Sequence, residues 1–223
     1  CEGDHHLSVI CGVDYPEDLV LTPDNDFFIA PQFGGIGPHV KIENRHTGKL
    51  SLVSVAEETV QDLEIKVSDN TWGDGRCERP QDKLMEPHGI DLIQRRDGTY
   101  QLAVVNHYLG DRIEMFELLS KDSSWILVWR GCVRVPEVYY LNDISLSEDG
   151  SLYVSHMYRP DFTLFDLKLL ELLKYNTGYV MRWDPEHGFG QVPGSEGANP
   201  SGLIYDSENH LLYIAHTSGD RID

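Results

Sequence analysis

At four places in this 223-residue chain, side chains able to donate an electron pair stand just before a short apolar run. They are Glu17-Asp18, His88-Gly89, Asn142-Asp143 and Ser201-Gly202. After each comes a strand-like run, a turn, and a second run of β-branched and aromatic residues. Asn142-Asp143-Ile144-Ser145-Leu146 shows it most plainly, turning at Asp149-Gly150 into Leu152-Tyr153-Val154-Ser155-His156. Carboxylates, an amide oxygen and backbone carbonyls converging on one point suit a hard cation such as calcium, and the lack of thiols among them disfavours zinc or copper. The plainer alternative is that these groups cap strands or bind channel water. His88 shares the same register, and His107 ends the second strand of its unit. Such a pair can supply a general base near neutral pH. His5, His6, His39 and His46 read as surface residues, and His156 and His216 occupy strand ends like that of His107, so the unit could simply favour histidine there.

Further strands complete the units. Lys41-Ile42-Glu43 and Leu50 to Val53 follow in the first, Arg112 to Leu118 and Trp125 to Trp129 in the second, Tyr179 to Trp183 and Phe189 to Val192 in the third. Four strands per recurring unit describe the blades of an all-β protein, a β-propeller. The first strand of each blade lines the channel, so the four polar pairs should meet at one mouth of it. The fourth unit reaches Arg221-Ile222-Asp223 where its third strand should begin, which makes residues 1–223 one domain of about three and a half blades. The ring is expected to continue beyond Asp223, with closure by a partner chain as the alternative. Two segments fall outside the pattern: an acidic inserted loop at 57–85, and an amphipathic helix at 160–175, capped by Asp161 or Thr163, between the second and third strands of the third blade. The helix is expected to pack on the propeller face, with a lid or a lipid-touching surface as alternatives.

Composition narrows the function. Hydrophobic residues make up 40% and charged residues 25%, ordinary for a soluble globular protein. A net charge of −19 argues against a nucleic-acid partner and suits an extracellular or cation-holding protein, or simply a soluble one. No apolar run approaches the roughly 18–20 residues of a membrane span. Cys1, Cys11, Cys77 and Cys132 form no C-x-x-C pair, and their even number allows two disulfides, consistent with a secreted or lumenal setting.

Pro87-His88-Gly89-Ile90, Val104-Val105-Asn106-His107, Ile113-Glu114-Met115-Phe116 and Leu141-Asn142-Asp143-Ile144 resemble the paraoxonase/arylesterase family. Pro16-Glu17-Asp18-Leu19, the helix-bearing stretch after His156 and the segment Gly202 to Ala215 are similar too, in the same order. The resemblance implies a six-bladed propeller with two axial calcium ions that hydrolyses lactones and aryl esters. It implies that Glu17 and Asn142 ligate a catalytic calcium, that Asp18, Asp143 and the carbonyl of Ile90 ligate a structural one, and that His88 and His107 activate water. The family's fourth-blade asparagine ligand falls on Ser201, with Asn199 two residues earlier. A family disulfide would tie Cys1 or Cys11 to a cysteine outside this chain; Cys77 and Cys132 have no family counterpart. Other readings are a non-catalytic, calcium-stabilised binding propeller, and a sugar-lactonase-like enzyme using another divalent ion.

Overall fold

The computed structural model describes residues 8–34, 47–79 and 84–223. Lys41-Ile42-Glu43, Cys1, His5, His6, His39 and His46 lie outside the described residues. Four sheets, antiparallel but for one added parallel strand in the second, follow one another along the chain as four blades of a propeller. The first contains β1 (Val20–Leu21), β2 (Phe27–Gln32), β3 (Lys49–Ser54) and β4 (Thr59–Asp62), in that spatial order. Leu50 to Val53 therefore belongs to the third strand of this blade, not the fourth as the sequence suggested. Of the stretch 57–85, expected as a loop, Thr59–Asp62 is the blade's outer strand, and β5 (Ile65–Val67) adds to the second blade. The second blade is built from β6 (Pro87–Gln94), β7 (Tyr100–Asn106), β8 (Arg112–Lys121) and β9 (Ser124–Arg134), with β5 pairing parallel to β9. The third has β10 (Leu141–Leu146), β11 (Leu152–His156), β12 (Tyr179–Asp184) and β13 (Gly188–Gln191). The fourth has β14 (Pro200–Asp206), β15 (Leu211–His216) and β16 (Arg221–Ile222).

Strand alternation explains how the blades stack. Successive side chains of a strand point to opposite faces. On β7, Leu102 and Val104 join a core with Ile29, Leu50 and Leu52 of the first blade. Ala103 and Val105 face the other way, into a core with Leu141, Ile144 and Val154 of the third. A run buried on both faces reads as continuously apolar, as Leu102 to Val105 does.

The first hairpin of each blade turns on an aspartate whose side chain accepts the N–H two residues later. The pairs are Asp24 with Asp26, Asp97 with Thr99, Asp149 with Ser151, and Asp206 with Glu208. Part of the acidic excess is therefore turn chemistry.

The helix, α1 (Leu164–Leu172), sits between β11 and β12 and is capped reciprocally by Thr163 and Asp166. None of its residues is buried. Leu167 and Leu170 line a small cavity with Tyr158 and Asn199, while Leu164 and Phe165 are 61% and 74% exposed. Among the described residues no helix is long and apolar enough to cross a membrane.

Cys77 and Cys132 form a disulfide, both nearly inaccessible. Cys11 is also disulfide-bonded.

Candidate functional site

One irregularity, repeated in every blade, builds the site. Pro87 pairs with Asn106 but Ile90 with Val104, so the inner strand carries one extra residue between them. The same slip separates Leu141↔His156 from Ile144↔Val154, and Pro200↔His216 from Leu203↔Ile214. In the first blade the Pro16↔Gln32 bridge and the Val20↔Ile29 pair differ in the same way. A bulge leaves its residues outside the ladder and re-aims their side chains. The bulged pairs are His88-Gly89, Asn142-Asp143 and Ser201-Gly202, with Glu17-Asp18 in the same position of the first blade. The register also equates Gln32, Asn106, His156 and His216. His107 lies one residue beyond Asn106, so its position is not that of His156 and His216, contrary to the sequence comparison.

Carboxylates stitch the bulges together across the blade boundaries. Asp18 accepts from its neighbour Leu19 N–H at 2.7 Å and from Ile90 N–H of the second blade at 2.9 Å. Asp143 accepts from Ile144 N–H at 2.8 Å and from Leu203 N–H of the fourth blade at 2.6 Å. Asp91, which the sequence reading passed over, accepts from Leu146 N–H of the third blade at 2.7 Å. Burial raises all three above the ordinary aspartate value. Asp91 is pushed up to about 6, and Asp143 to about 7 with Asp18 contributing. For Asp18, the backbone N–H groups and Asp143 partly offset burial.

Three half-buried carboxylates, with no cationic side chain bonded to them among the described residues, fit a hard cation. Among the described residues, no three acidic, histidine or cysteine side chains form a metal shell by themselves. A calcium ion here would therefore draw also on the amide of Asn142 and on backbone carbonyls. The side chains of Ser201 and Asn199 take no part in these carboxylate contacts. The Ser201 hydroxyl is 2.5 Å from that of Thr217 and donates to the Ala215 carbonyl, within its own blade. Asn199 has a left-handed backbone with φ of 60°, and its buried Oδ1, without a hydrogen-bond partner, belongs to a residue lining the cavity beside α1.

The two histidines stand beside one another, ring centroids 5.4 Å apart and nearly perpendicular. His88 Nδ1 is 2.9 Å from the Asn142 carbonyl. A carbonyl only accepts, so Nδ1 carries the proton and Nε2 turns its lone pair toward Glu17 Oε2, 3.5 Å away. Burial, then the repulsion of His107, lowers the His88 pKa to about 4, so the ring is neutral at pH 7. Burial raises that of Glu17. Two acceptors facing one another at this distance suit a shared proton or cation.

His107 Nδ1 lies 2.8 Å from Asp111 Oδ1, and its buried Nε2 has no hydrogen-bond partner. Its ring stacks on Tyr140 at 4.7 Å and meets the edge of Phe33 at 5.6 Å. His107 also lines a cleft of about 440 Å³ with Asp111, Arg112, Val135 and Tyr139. Phe33, Asp111 and Tyr140 were not singled out from sequence. The one signal was the four-residue spacing from His107 to Asp111 across a tight turn.

These features define a β-propeller with carboxylates bridging the inner strands of neighbouring blades and two imidazoles near one another. The chain belongs to the arylesterase family, whose model matches residues 7–223. It is 23% identical over 211 residues to human serum paraoxonase/lactonase 3, a stretch covering 92% of this chain and 54% of that protein. It thus spans about half the length of this curated relative. Among solved structures, it is similar to a protein described as an oxidoreductase (glucose dehydrogenase) from Thermus thermophilus, at 16% identity and a TM-score of 0.44, covering 92% of this chain and 58% of the other. It is also similar to a protein described as a 6-phosphogluconolactonase from Bacteroides uniformis, at 11% identity and a TM-score of 0.40, covering 95% and 81%. Likenesses this distant carry no argument about function.

Proposed function

We propose that the protein hydrolyses lactones and aryl esters with the help of calcium. The observation that carries this reading is His107, buried, held at Nδ1 by a carboxylate and unpartnered at Nε2, beside the carboxylates of the channel mouth. Glu17 and Asn142 would hold one calcium ion; Asp18, Asp143 and the Ile90 carbonyl would hold a second. The first ion would polarise the substrate carbonyl and share the charge that develops on its oxygen. His107 Nε2 accepts a proton from water while the water oxygen bonds to the carbonyl carbon. As the tetrahedral species collapses, the bond to the alkoxide or phenolate breaks, and the leaving oxygen takes up that proton. His88 directs its free Nε2 at the same region and orders water there together with Glu17.

The buried Cys77–Cys132 disulfide supports an oxidising, secreted or lumenal setting. The apolar side chains exposed on α1 support contact with a lipid or other apolar surface. A second reading, a non-catalytic calcium-stabilised propeller, draws support from the Ser201 hydroxyl engaged with Thr217 instead of the axis. The test uses the full-length protein with phenyl acetate and a δ-lactone. Turnover that is lost on chelation and in His107→Gln is expected. A folded, calcium-loaded protein inert to both substrates would establish the binding reading, and metal analysis would reveal any other divalent ion.

A further inference from the structure

We propose that Asp111 is the positioning residue for His107, and that it ties the base to the very strand that carries Asn142 and Asp143. The inference rests on the hydrolase reading for its catalytic consequence, though not for its geometry. Asp111 uses both carboxylate oxygens. Oδ1 accepts from His107 Nδ1 at 2.8 Å, and Oδ2 accepts from Leu141 N–H at 2.7 Å. Leu141 is the last residue of β10 before the bulge, so the contact crosses from the second blade to the third.

The loop between His107 and Asp111 is shaped for this. Leu109 and Gly110 both take positive φ, 56° and 96°, and Gly110 N–H returns to the His107 carbonyl at 3.3 Å. The tight turn brings the side chain of Asp111 back over the imidazole. Val135 N–H donates to the Asp111 carbonyl at 3.2 Å, and Arg112 Nη2 donates to the Tyr108 carbonyl at 3.0 Å, fastening both ends of the loop. The two side chains are 2% and 12% exposed, so little water competes for the bond.

A carboxylate on Nδ1 fixes the tautomer. The proton stays on Nδ1, and Nε2 keeps the lone pair that a general base requires. His88 is fixed in the same way by a different group on the same strand, the Asn142 carbonyl. The two residues Leu141 and Asn142 therefore set both imidazoles, one directly and one through Asp111.

Asparagine at position 111 separates this role from simple packing. It has the same shape but only one accepting oxygen. Leu141 N–H can only donate, so it keeps that oxygen, and the amide NH2 turns to His107 Nδ1. Nδ1 must then accept, and the proton moves to Nε2, where the ring can no longer take one from water. In the full-length protein, Asp111→Asn is expected to lower kcat by roughly 10²- to 10⁴-fold with KM within about threefold. Asp111→Glu, which restores two acceptors, should recover part of the loss. The ¹⁵N shifts of the His107 ring, read in the unaltered protein, give a test independent of folding in the variants and of turnover. Protonated Nδ1 with a free Nε2 is expected. Protonated Nε2 in the unaltered neutral ring, or an Asp111→Asn enzyme with undiminished kcat, would overturn the proposal. An inert protein with Nδ1 protonated would instead defeat the hydrolase reading and leave the role of Asp111 standing.

Discussion

His88 Nδ1 and the carbonyl oxygen of Asn142 lie 2.9 Å apart, and this one bond joins the bulge of the second blade to that of the third. It also decides which nitrogen of His88 faces Glu17. A glutamine at 88 could still donate to the Asn142 carbonyl, but it would offer no second nitrogen to the mouth. His88→Gln is therefore expected to lower kcat/KM for phenyl acetate by roughly 10²-fold or more, while stability changes by about 1 kcal/mol. Steady-state kinetics beside a urea titration checks both halves. Wild-type kcat/KM in this variant would remove His88 from the reacting centre.

Gly89 follows His88 in the bulge, and its lack of a side chain permits the close approach of the two blades. A Cβ there would lie 2.5 Å from the Asn142 carbonyl oxygen and 2.7 Å from Asp143 Oδ1. Gly202, its equivalent in the fourth blade, has room: the nearest atoms to an added Cβ are Ala215 Cβ at 3.6 Å and Asp143 Oδ2 at 3.9 Å. Gly89→Ala should therefore cost about 2–4 kcal/mol and weaken calcium binding, whereas Gly202→Ala should stay within about 0.5 kcal/mol. Calorimetry with calcium on the two variants makes the comparison. Equal losses would show that the clash is relieved by backbone movement.

The repeat was legible because every blade places a polar pair ahead of its inner strand, and the bulge that exposes the pair needs one extra residue at the same point. That pattern survives in sequence as Pro87-His88-Gly89-Ile90 and Leu141-Asn142-Asp143-Ile144. Strand ends were less legible. His107 and His156 look alike as histidines after apolar runs, yet a one-residue offset makes one a neighbour of His88 and the other a partner of a backbone N–H. The outer strands of the first blade were misread because Thr59–Asp62 is a mostly exposed edge strand with little apolar signal. Phe33 and Tyr140 were hidden for a different reason: their relation to His107 exists only after the blades stack, whereas that of Asp111 depends on the fold of the short turn after β7. Asp91 gave a local signal, an aspartate two residues past the bulge, but its partner Leu146 is far along the chain.

The offset has a measurable consequence for His156. Its Nδ1 accepts from Tyr140 N–H at 3.1 Å, as Asn106 Oδ1 accepts from Glu86 N–H at 2.9 Å in the second blade. Burial lowers the His156 pKa below its ordinary value of 6.5, against the opposing pull of the Tyr140 backbone and Asp111. A histidine depressed in the fold contributes stability above its unfolded pKa and loses it as pH falls through the folded one. Acidifying from pH 8 to 5 should therefore cost stability through His156. His156→Asn keeps an acceptor that does not titrate, so its stability should fall less steeply over that window. Urea titrations at pH 8 and pH 5 compare the slopes. An unchanged slope would mean that His156 is not a source of the acid sensitivity.

The last prediction concerns the disulfide. Cys77 and Cys132 are 55 residues apart in sequence, and the bond pins the loop after β5 against β9. The loop is held by other means as well. Asn70 Nδ2 donates to the carbonyls of Asp74 and Cys77 at 2.7 and 2.9 Å, and Asp74 N–H donates to the Cys132 carbonyl at 2.9 Å. These bonds exist only in the folded chain, whereas the disulfide also restricts the unfolded one. Closing a loop of this length lowers the entropy of the unfolded ensemble by an amount worth roughly 4 kcal/mol. Replacing both cysteines with alanine should therefore lower stability by about 3–4 kcal/mol, and Tm by roughly 6–16 °C. The Asn70 bonds should still hold the loop in place, leaving kcat at 25 °C within about twofold. Thermal melts and kinetics on the double variant separate the two effects. A loss under about 1 kcal/mol would mean that the unfolded chain already keeps the loop near β9.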